Sequence, residues 1–516
     1  MTRDGVTLSA DLHRPVGVSR APTILVRIPF TNTLFNQLRS DVISRFWAAR
    51  GYNVVVQGTR GRYRSGGAFE PLVHERDDGI ATLHWLSAQP WHDGRLAMWG
   101  GSAFGHTQWS ISDQTSAAPD AYFVQIASSR FRDAFHPGGA FALETALYWS
   151  LNSHGARDRK VDYRQLDRGA RALPVFEADR VAAGVEIPFF DLWAKEASDS
   201  DYWHRANGMP DAHAAAAPML LLGGWYDPFL PSMLQDWAAL QGGSIESSLI
   251  IGPFAHARTI EWPGAKIDAP YRKESVAPAL RWFDRHLGVA GGGRDLPRVR
   301  IFILGENQWR SENEWPLART VYTPFYLTEG GKLDREEPMG PPAEDRYTYD
   351  PGYPTPTAGG AMLGKRAGVV MQPSIGARAD VLSYVSAPLA DALEVTGPVK
   401  ALLTVSTDAP STDFTAKLIL IRPDGVALNL ADGVLRRTYE PDVRAQIEID
   451  MGAIGVLAPA GAKLRLDISS SNFPRFDRNP NTGESAEAAT RFRIARQTLW
   501  RGRGIRSYLV LPVIPR

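Results

Sequence analysis

The first 127 residues alternate short apolar runs with longer segments rich in helix-forming residues. The runs at 23–28, 52–56 and 95–99 predict strands, and the segments at 38–49 and 77–87 predict helices. Buried apolar strands separated by helices are typical of a parallel sheet that helices cover on both faces. The pattern therefore predicts an α/β fold for residues 1–127.

The pattern changes between residues 128 and 217, where apolar strand runs disappear and aromatic and charged residues dominate. We interpret this segment as a helical cap inserted into the sheet, with most of its aromatic residues forming its own small core. Apolar runs return at 219–222, 248–252 and 299–304. We therefore assign residues 218–318 to the same core as residues 1–127.

Beyond residue 318 the chain is punctuated by Pro and Gly and carries many short β-type runs. Examples lie at 401–406, 416–421, 446–450 and 463–468. This spacing predicts an all-β sandwich of the jelly-roll type over residues 319–516.

The composition of the chain excludes several classes of binding partner and of reaction. Lys and Arg number 57 against 56 Asp and Glu, which leaves a net charge of +1 and no field that favours nucleic acid or an anionic membrane. The absence of cysteine excludes disulfides, thiolate metal sites and a cysteine nucleophile. We find neither a signal peptide nor an apolar stretch of membrane-spanning length. Because the start of the chain can be a trimmed one, a cytoplasmic location is only the default; the oligomeric state stays open.

A candidate nucleophile lies in Met98-Trp-Gly-Gly-Ser-Ala-Phe-Gly-His, between a predicted strand and a predicted helix. Ser102 can be a simple helix N-cap, because serine is favoured there. A strand, a tight glycine-bearing turn and a helix are also the context of a nucleophile elbow. The usual elbow is Gly-x-Ser-x-Gly, whereas Phe104 takes the last glycine position here and Gly105 follows it.

Two further candidates come later in the chain, in the acid-then-histidine order of α/β-hydrolases. Asp227 follows the strand at 219–222, and His256 follows the strand at 248–251. Both positions lie just past carboxyl ends of predicted parallel strands, where open α/β sheets bind ligands. Alone, Asp227 is a turn residue before a proline and His256 a loop histidine; in this order they predict a Ser-His-Asp triad.

The other polar residues carry no chemistry in this interpretation. No His, Asp or Glu pattern has metal-ligand spacing, and no glycine loop is suited to phosphate, so we expect neither a metal nor a cofactor. Glu75, Asp77 and Asp78 begin a predicted helix, where carboxylates interact favourably with the helix dipole.

Several segments together resemble the cocaine esterase family, which is related to the α-amino-acid ester hydrolases and the Xaa-Pro dipeptidyl peptidases. They are Gly58-Thr-Arg-Gly, Gln89-Pro-Trp-His-Asp-Gly-Arg, Gly100-Gly-Ser-Ala-Phe-Gly-His-Thr-Gln-Trp, Gly224-Trp-Tyr-Asp, Gly252-Pro-Phe-Ala-His and Gly305-Glu-Asn-Gln-Trp-Arg. The resemblance implies an α/β-hydrolase core, an inserted helical cap and a C-terminal jelly-roll domain. It also implies Ser102 as nucleophile, His256 as general base and Asp227 as the residue that orients it.

The same resemblance implies an oxyanion hole formed by the backbone N–H of Ala103 and by a tyrosine hydroxyl in a string like Arg-x-Pro-Tyr. This chain has Arg27-Ile-Pro-Phe30, and a phenylalanine cannot donate. Loss of one such donor costs roughly 2.7 to 4 kcal/mol of transition-state stabilisation. Either another donor replaces it, with Thr31 and Asn32 as the nearest candidates, or the enzyme is slow or differently specialised.

We therefore expect a serine hydrolase that cleaves small-molecule carboxylic esters through an acyl-enzyme. Phe30, Phe229 and Trp149 are expected to wall an apolar acyl pocket. One alternative is an amidase, an Xaa-Pro-type peptidase or an α-amino-acid ester hydrolase, although Thr31-Asn-Thr carries no acid to hold a substrate amine. The others are a carbohydrate-binding protein and a hydrolase scaffold used for acyl transfer or cyclisation.

Overall fold

The structure is a computed structural model that describes residues 1–31, 34–155, 160–195, 201–207, 211–289, 295–372 and 374–515, with the side chains of 34–39 and 374 left out. The strands of its first sheet are β1 (Ala10–His13), β2 (Ala21–Ile28), β3 (Asn53–Gly58), β4 (His92–Gly101), β5 (Ala121–Gln125), β6 (Met219–Tyr226), β7 (Ser247–Ala255), β8 (Arg258–Thr259), β9 (Val299–Ile303) and β10 (Gln308–Glu312).

The helices cover this sheet or form the insertion between β5 and β6. They are α1 (Leu34–Ala48), α2 (Glu75–Ser87), α3 (Ala103–Trp109), α4 (Leu143–Ser153), α5 (Tyr163–Ala170), α6 (Ala178–Ala183), α7 (Pro188–Lys195), α8 (Asp201–Ala206), α9 (Leu230–Gln241), α10 (Tyr271–Glu274) and α11 (Ala277–His286).

The second sheet contains the remaining strands. They are β11 (Val321–Thr328), β12 (Lys332–Asp334), β13 (Ala343–Tyr349), β14 (Leu382–Ser386), β15 (Leu393–Thr407), β16 (Ser411–Ile421), β17 (Ala427–Thr438), β18 (Ala445–Ala458), β19 (Lys463–Ser469), β20 (Ala495–Arg501) and β21 (Tyr508–Ile514).

The first sheet runs in the order β1-β3-β2-β4-β5-β6-β7-β9-β10. In this order the strands from β3 through to β9 are parallel, β1 and β10 are antiparallel edges, and the short β8 pairs antiparallel with β7. Every residue of β2, β3, β5 and β6 is buried, as expected when helices cover both faces. The predicted α/β-hydrolase core is therefore confirmed, and it places the carboxyl ends of β4, β6 and β7 at one edge.

The segment between β5 and β6 is helical, as the loss of strand patterning predicted. Its aromatic side chains pack mostly against each other, and the cluster includes Phe135, Phe141, Phe190, Trp193 and Trp203. The insertion is anchored to the core at its start, because Asp236 on α9 accepts hydrogen bonds from the backbone N–H of Ser129, at 2.9 Å, and from its hydroxyl, at 2.7 Å.

The C-terminal strands form the predicted β-sandwich, in which β15 pairs with β18, β20 and β21. The sandwich joins the first sheet through backbone bonds at Leu304, whose N–H donates to Gly455 and whose carbonyl accepts from Leu457, both at 2.8 Å. A Cβ added to Gly455 would lie 2.7 Å from the Trp225 ring, so glycine is needed for this close approach. The two units therefore share one continuous core.

Candidate active site

Ser102 lies at the tip of a tight turn between β4 and α3. Its φ is 57° and its ψ is −130°, a strained conformation for a residue other than glycine. The Ser102 hydroxyl does not cap α3, although the residue occupies the N-cap position. The structure therefore does not support the helix-cap interpretation of Ser102.

The glycines around Ser102 are explained by close packing. A Cβ at Gly100 would lie 2.5 Å from the Cβ of Phe104, and one at Gly105 would lie 2.6 Å from the Cβ of Ala127. Gly105 thus lets α3 pack against the end of β5, which is the role of the delayed glycine. Phe104 packs on Phe30.

His256 connects Ser102 to Asp227. Its Nε2 lies 2.9 Å from Oγ of Ser102, and its Nδ1 lies 2.7 Å from Oδ2 of Asp227. The second carboxylate oxygen of Asp227 accepts the backbone N–H of Phe229 at 2.9 Å. Because both oxygens are engaged, the carboxylate is fixed in orientation and can hold the imidazole with Nδ1 protonated and Nε2 facing the serine.

Asp227 is the most deeply buried of the three side chains. The side chain of His256 is 15% exposed, and that of Asp227 is 0% exposed. Ser102 is partly exposed. The site is therefore open to solvent at the serine and closed at the carboxylate. A substrate can reach the nucleophile while the orienting acid stays buried.

The β-sandwich fixes the loop that carries Asp227. Tyr226 donates from its hydroxyl to the carbonyl of Asn429, in β17, at 3.0 Å, and the Trp225 ring lies against Gly455 of β18. Trp225 is also held within the first sheet, since its Nε1 donates to the carbonyl of Phe302, in β9, at 2.7 Å. The turn after His256 is held in a similar way, since Arg258 donates to the carbonyl of Lys365 at 3.1 Å and also to that of Ala367. Sequence patterning gave no sign of these contacts.

Ala103 is the first residue of α3, so its N–H is among the helix donors without an intrahelical acceptor. Phe30 lies beside this turn, with its ring 5.1 Å from that of Phe104 in an edge-to-face arrangement. Thr31 pairs with Tyr63 in a parallel bridge. Asn32 lies outside the described residues, so the identity of a second donor stays a prediction.

Two of the three predicted pocket residues, Phe229 and Trp149, lie in one aromatic cluster, whereas Phe30 packs on Phe104 outside it. Phe229 is 2% exposed, and its ring lies 5.7 Å from that of His256 and 4.8 Å from that of Phe131. Trp149 lies further into the cap, 5.1 Å from Trp193. Among the described ring contacts, Trp149 reaches His256 only through intermediate aromatic residues.

Behind β2, sequence reasoning missed a buried ionic cluster. Arg27 is 0% exposed, and its Nη2 lies 3.0 Å from Oε2 of Glu75. Arg60 pairs with the buried Asp78 at 2.6 Å. Burial raises the pKa of Glu75, and the Arg27 guanidinium opposes that rise. Glu75 and Asp78 do begin α2, but their main contacts are these ion pairs. The sequence offered one sign of the cluster, the charged Arg27 inside the apolar run Thr23–Ile28.

The described residues contain neither a metal-binding cluster nor a membrane-spanning helix. Within those ranges, no group of three or more His, Asp or Glu side chains is placed to hold a metal ion. Across the same ranges, no helix has both the length and the apolar character needed to cross a bilayer.

Comparison with known proteins agrees with this architecture. Residues 4–258 match the profile of the X-Pro dipeptidyl-peptidase (S15 family), and residues 292–510 match that of the X-Pro dipeptidyl-peptidase C-terminal non-catalytic domain. The cocaine esterase of Rhodococcus sp. (strain MB1 Bresler) is 34% identical over 562 aligned positions, which cover 100% of this chain and 97% of the esterase.

Two solved structures share the fold. An aminopeptidase from a marine sediment archaeon, Thaumarchaeota archaeon, superimposes with a TM-score of 0.84 at 24% identity, covering 100% of this chain and 95% of that one. An α-amino-acid ester hydrolase superimposes with a TM-score of 0.83 at 22% identity, covering 99% and 95%. These structures show the fold, and the full-length relative shows that the chain belongs to the cocaine esterase family of serine ester hydrolases.

Proposed function

We propose that Ser102, His256 and Asp227 are the catalytic triad of this ester hydrolase. The observation that carries the proposal is the pair of contacts at 2.9 and 2.7 Å that joins the three side chains in one line. In this arrangement His256 takes the proton of Ser102 as the hydroxyl attacks the ester carbonyl, and an acyl-enzyme and the free alcohol result. Water attacks the acyl-enzyme in the second half of the cycle.

The residues around the triad would assist these steps. Asp227 would stabilise the imidazolium that forms on His256, because its carboxylate is buried and fixed by the Phe229 N–H. Ala103 would donate its N–H to the tetrahedral oxyanion. Phe30 and Phe229 would contribute apolar surface next to the reacting carbonyl, and Trp149 would do so deeper in the cap.

A fluorophosphonate probe tests the nucleophile. We expect covalent labelling of the wild-type chain and none of Ser102→Ala, because the reagent reacts only with an activated serine. Ser87→Ala, which removes an exposed hydroxyl at the end of α2, is the matched control and should label normally. Labelling that persists in Ser102→Ala would remove Ser102 from this role.

The S15 match makes amide hydrolysis the second candidate. Matched p-nitrophenyl esters and p-nitroanilides with the same acyl group, including aminoacyl and Xaa-Pro groups, separate the two reactions. We expect faster turnover of the ester in each pair. Preferential turnover of the Xaa-Pro anilide would instead assign the chain a peptidase activity.

A further inference from the structure

The outer face of the β-sandwich carries a groove of about 490 Å³ that none of the triad residues lines. Two neighbouring strands form its floor, where Tyr326 of β11 lies opposite Tyr508 of β21. Pro324 comes earlier in β11 and lies opposite Val510. Leu509, which alternates with these positions in β21, is buried in the core of the sandwich. The groove is therefore a feature of the C-terminal unit, on the face of the sheet opposite its core.

Three tyrosines give the groove an aromatic surface. The rings of Tyr326 and Tyr508 lie 5.4 Å apart, with their planes tilted by 59°. Tyr322, four residues before Tyr326 in β11, also lines the groove and is 51% exposed. Within the described part of the chain, none of the three hydroxyls has a hydrogen-bond partner. Such a surface suits a ligand that is apolar on its faces and polar at its edges, because tyrosine combines an apolar ring with a polar tip.

Two loops form a wall beside the rings. Arg503 donates its backbone N–H to the carbonyl of Gly340 at 2.8 Å, which joins the loop after β20 to the loop after β12. The Thr404 hydroxyl, in β15, donates to the carbonyl of Arg506 at 3.0 Å and ties the wall to the sheet. A ligand would meet a wall that is already in place, which lowers the entropic cost of binding.

The wall carries one cation and one anion. Arg506 and Glu337 are exposed and both line the groove. Among the described residues, the Arg506 guanidinium has neither an ion pair nor a hydrogen bond, and the Glu337 carboxylate has one long contact, with the N–H of Gly504 at 3.4 Å. The two charges have opposite sign, so the groove does not favour an ion of either sign. A guanidinium only donates and a carboxylate only accepts, whereas a ligand hydroxyl can do both.

We propose that this groove binds a neutral saccharide. The C–H faces of a sugar ring would stack on Tyr326 and Tyr508, because C–H groups carry a partial positive charge and the faces of aromatic rings are negative. The sugar hydroxyls would accept from Arg506 and donate to Glu337. Carbohydrate binding, an alternative to catalysis in the sequence, is then a second function of the same chain, carried by the sandwich and separate from ester hydrolysis.

Native affinity electrophoresis of the full chain tests the proposal, with soluble starch, galactomannan, xylan or hydroxyethyl cellulose in the gel. We expect at least one of these polysaccharides to retard the wild type, and Tyr508→Ala to raise its dissociation constant by about tenfold or more. Tyr353→Ala is the matched control, because Tyr353 is 78% exposed and does not line the groove. A wild type that none of the four polysaccharides retards would overturn the proposal.

Two charge variants test the wall and leave the floor intact. Arg506→Ala and Glu337→Gln change exposed side chains, so both proteins should fold, and each should raise the dissociation constant by about threefold to tenfold. In every groove variant kcat/KM for p-nitrophenyl acetate should change by less than about twofold, because no groove residue belongs to the triad. Unchanged binding in both wall variants would overturn the assignment of the saccharide to this groove.

Two further measurements separate a neutral saccharide from other occupants. Polygalacturonate in the gel tests an anionic ligand, and retardation by this polysaccharide alone would overturn the proposal. Sedimentation velocity of the wild type and of Tyr508→Ala tests a second copy of the chain on this face. We expect equal sedimentation coefficients; a dimer that Tyr508→Ala dissociates would assign the groove to a subunit interface and overturn the proposal.

Discussion

Two clusters of polar side chains lie at the carboxyl side of the same sheet, and we expect one to act in catalysis and the other in stability. The triad joins Ser102, His256 and Asp227 from three strand ends, whereas the cluster behind β2 joins Arg27 to Glu75 and Arg60 to Asp78. Arg27 is 0% exposed, and Ser102 is partly exposed. The triad opens to a ligand at one end, whereas the Arg27–Glu75 pair is sealed and Arg60 also pairs with the exposed Asp4. Substitutions in the triad should therefore alter turnover, and those at Arg27 and Glu75 should alter stability.

The largest effect is expected for Asp227→Asn. The amide would no longer hold His256 in the tautomer that accepts the serine proton, and kcat should fall by about 10⁴. Stopped assays with p-nitrophenyl acetate measure this, and thermal unfolding should change little. Asp211→Asn, at an exposed carboxylate, is the control. A loss of less than about tenfold would contradict the orienting role of Asp227.

Arg27→Met should affect stability more than turnover. It leaves the buried Glu75 carboxylate without its cation, which costs about 3–5 kcal/mol of the free energy of unfolding. Urea denaturation measures the loss, and the double variant Arg27→Met/Glu75→Met should recover much of it. Arg285→Met removes a partly exposed arginine from its surface pairs and should cost about 0–1 kcal/mol. If folded Arg27→Met protein lost kcat without a loss of stability, the assignment of this ion pair to stability would be contradicted.

Phe30→Tyr tests whether the oxyanion hole beside the triad lacks a donor. If the ring occupies the position of the family tyrosine, a new hydroxyl would donate to the oxyanion, and kcat for esters should rise by about 10²-fold. Phe30→Leu lacks a donor and should show no rise. Equal rates in Phe30→Tyr and the wild type would mean that another group already donates there.

Glu144 on α4 provides a pH-dependent test at the joint of cap and sandwich. It is 1% exposed and lies 3.7 Å from Arg366, and burial raises its pKa to about 7 although Arg366 opposes the shift. The folded state therefore binds this proton more tightly than the unfolded state, and its stability falls as the pH rises from about 4.5 to about 7.

Glu144→Gln should remove that loss. We expect the variant to be more stable than the wild type by about 1–3 kcal/mol at pH 8, with the difference shrinking as the pH falls toward 5. Urea denaturation across this pH range measures the effect. A difference that does not depend on pH would show that Glu144 does not titrate in the folded protein.

Much of the fold followed from patterning because the core strands are buried on both faces. The predicted run at 23–28 became β2, and the run at 219–222 became the start of β6. Boundaries were less accurate, since β6 continues to Tyr226 and the helix expected at 38–49 begins at Leu34. Pairing with β7 continues to Tyr226, which lies opposite Ala255, and local propensity carries no information about such contacts.

The sequence by itself determined which residues could react. The order of the chain alone places a serine between a strand and a helix, and an acid and a histidine at later strand ends. Composition alone excludes cysteine. Only the tertiary structure decided that the three side chains meet within hydrogen-bond distance, that Tyr226 ties the strand before Asp227 to the sandwich, and that Arg27 meets Glu75. The reason is that these contacts join residues far apart in the chain, whose distances are set by packing of the sheet, the cap and the sandwich.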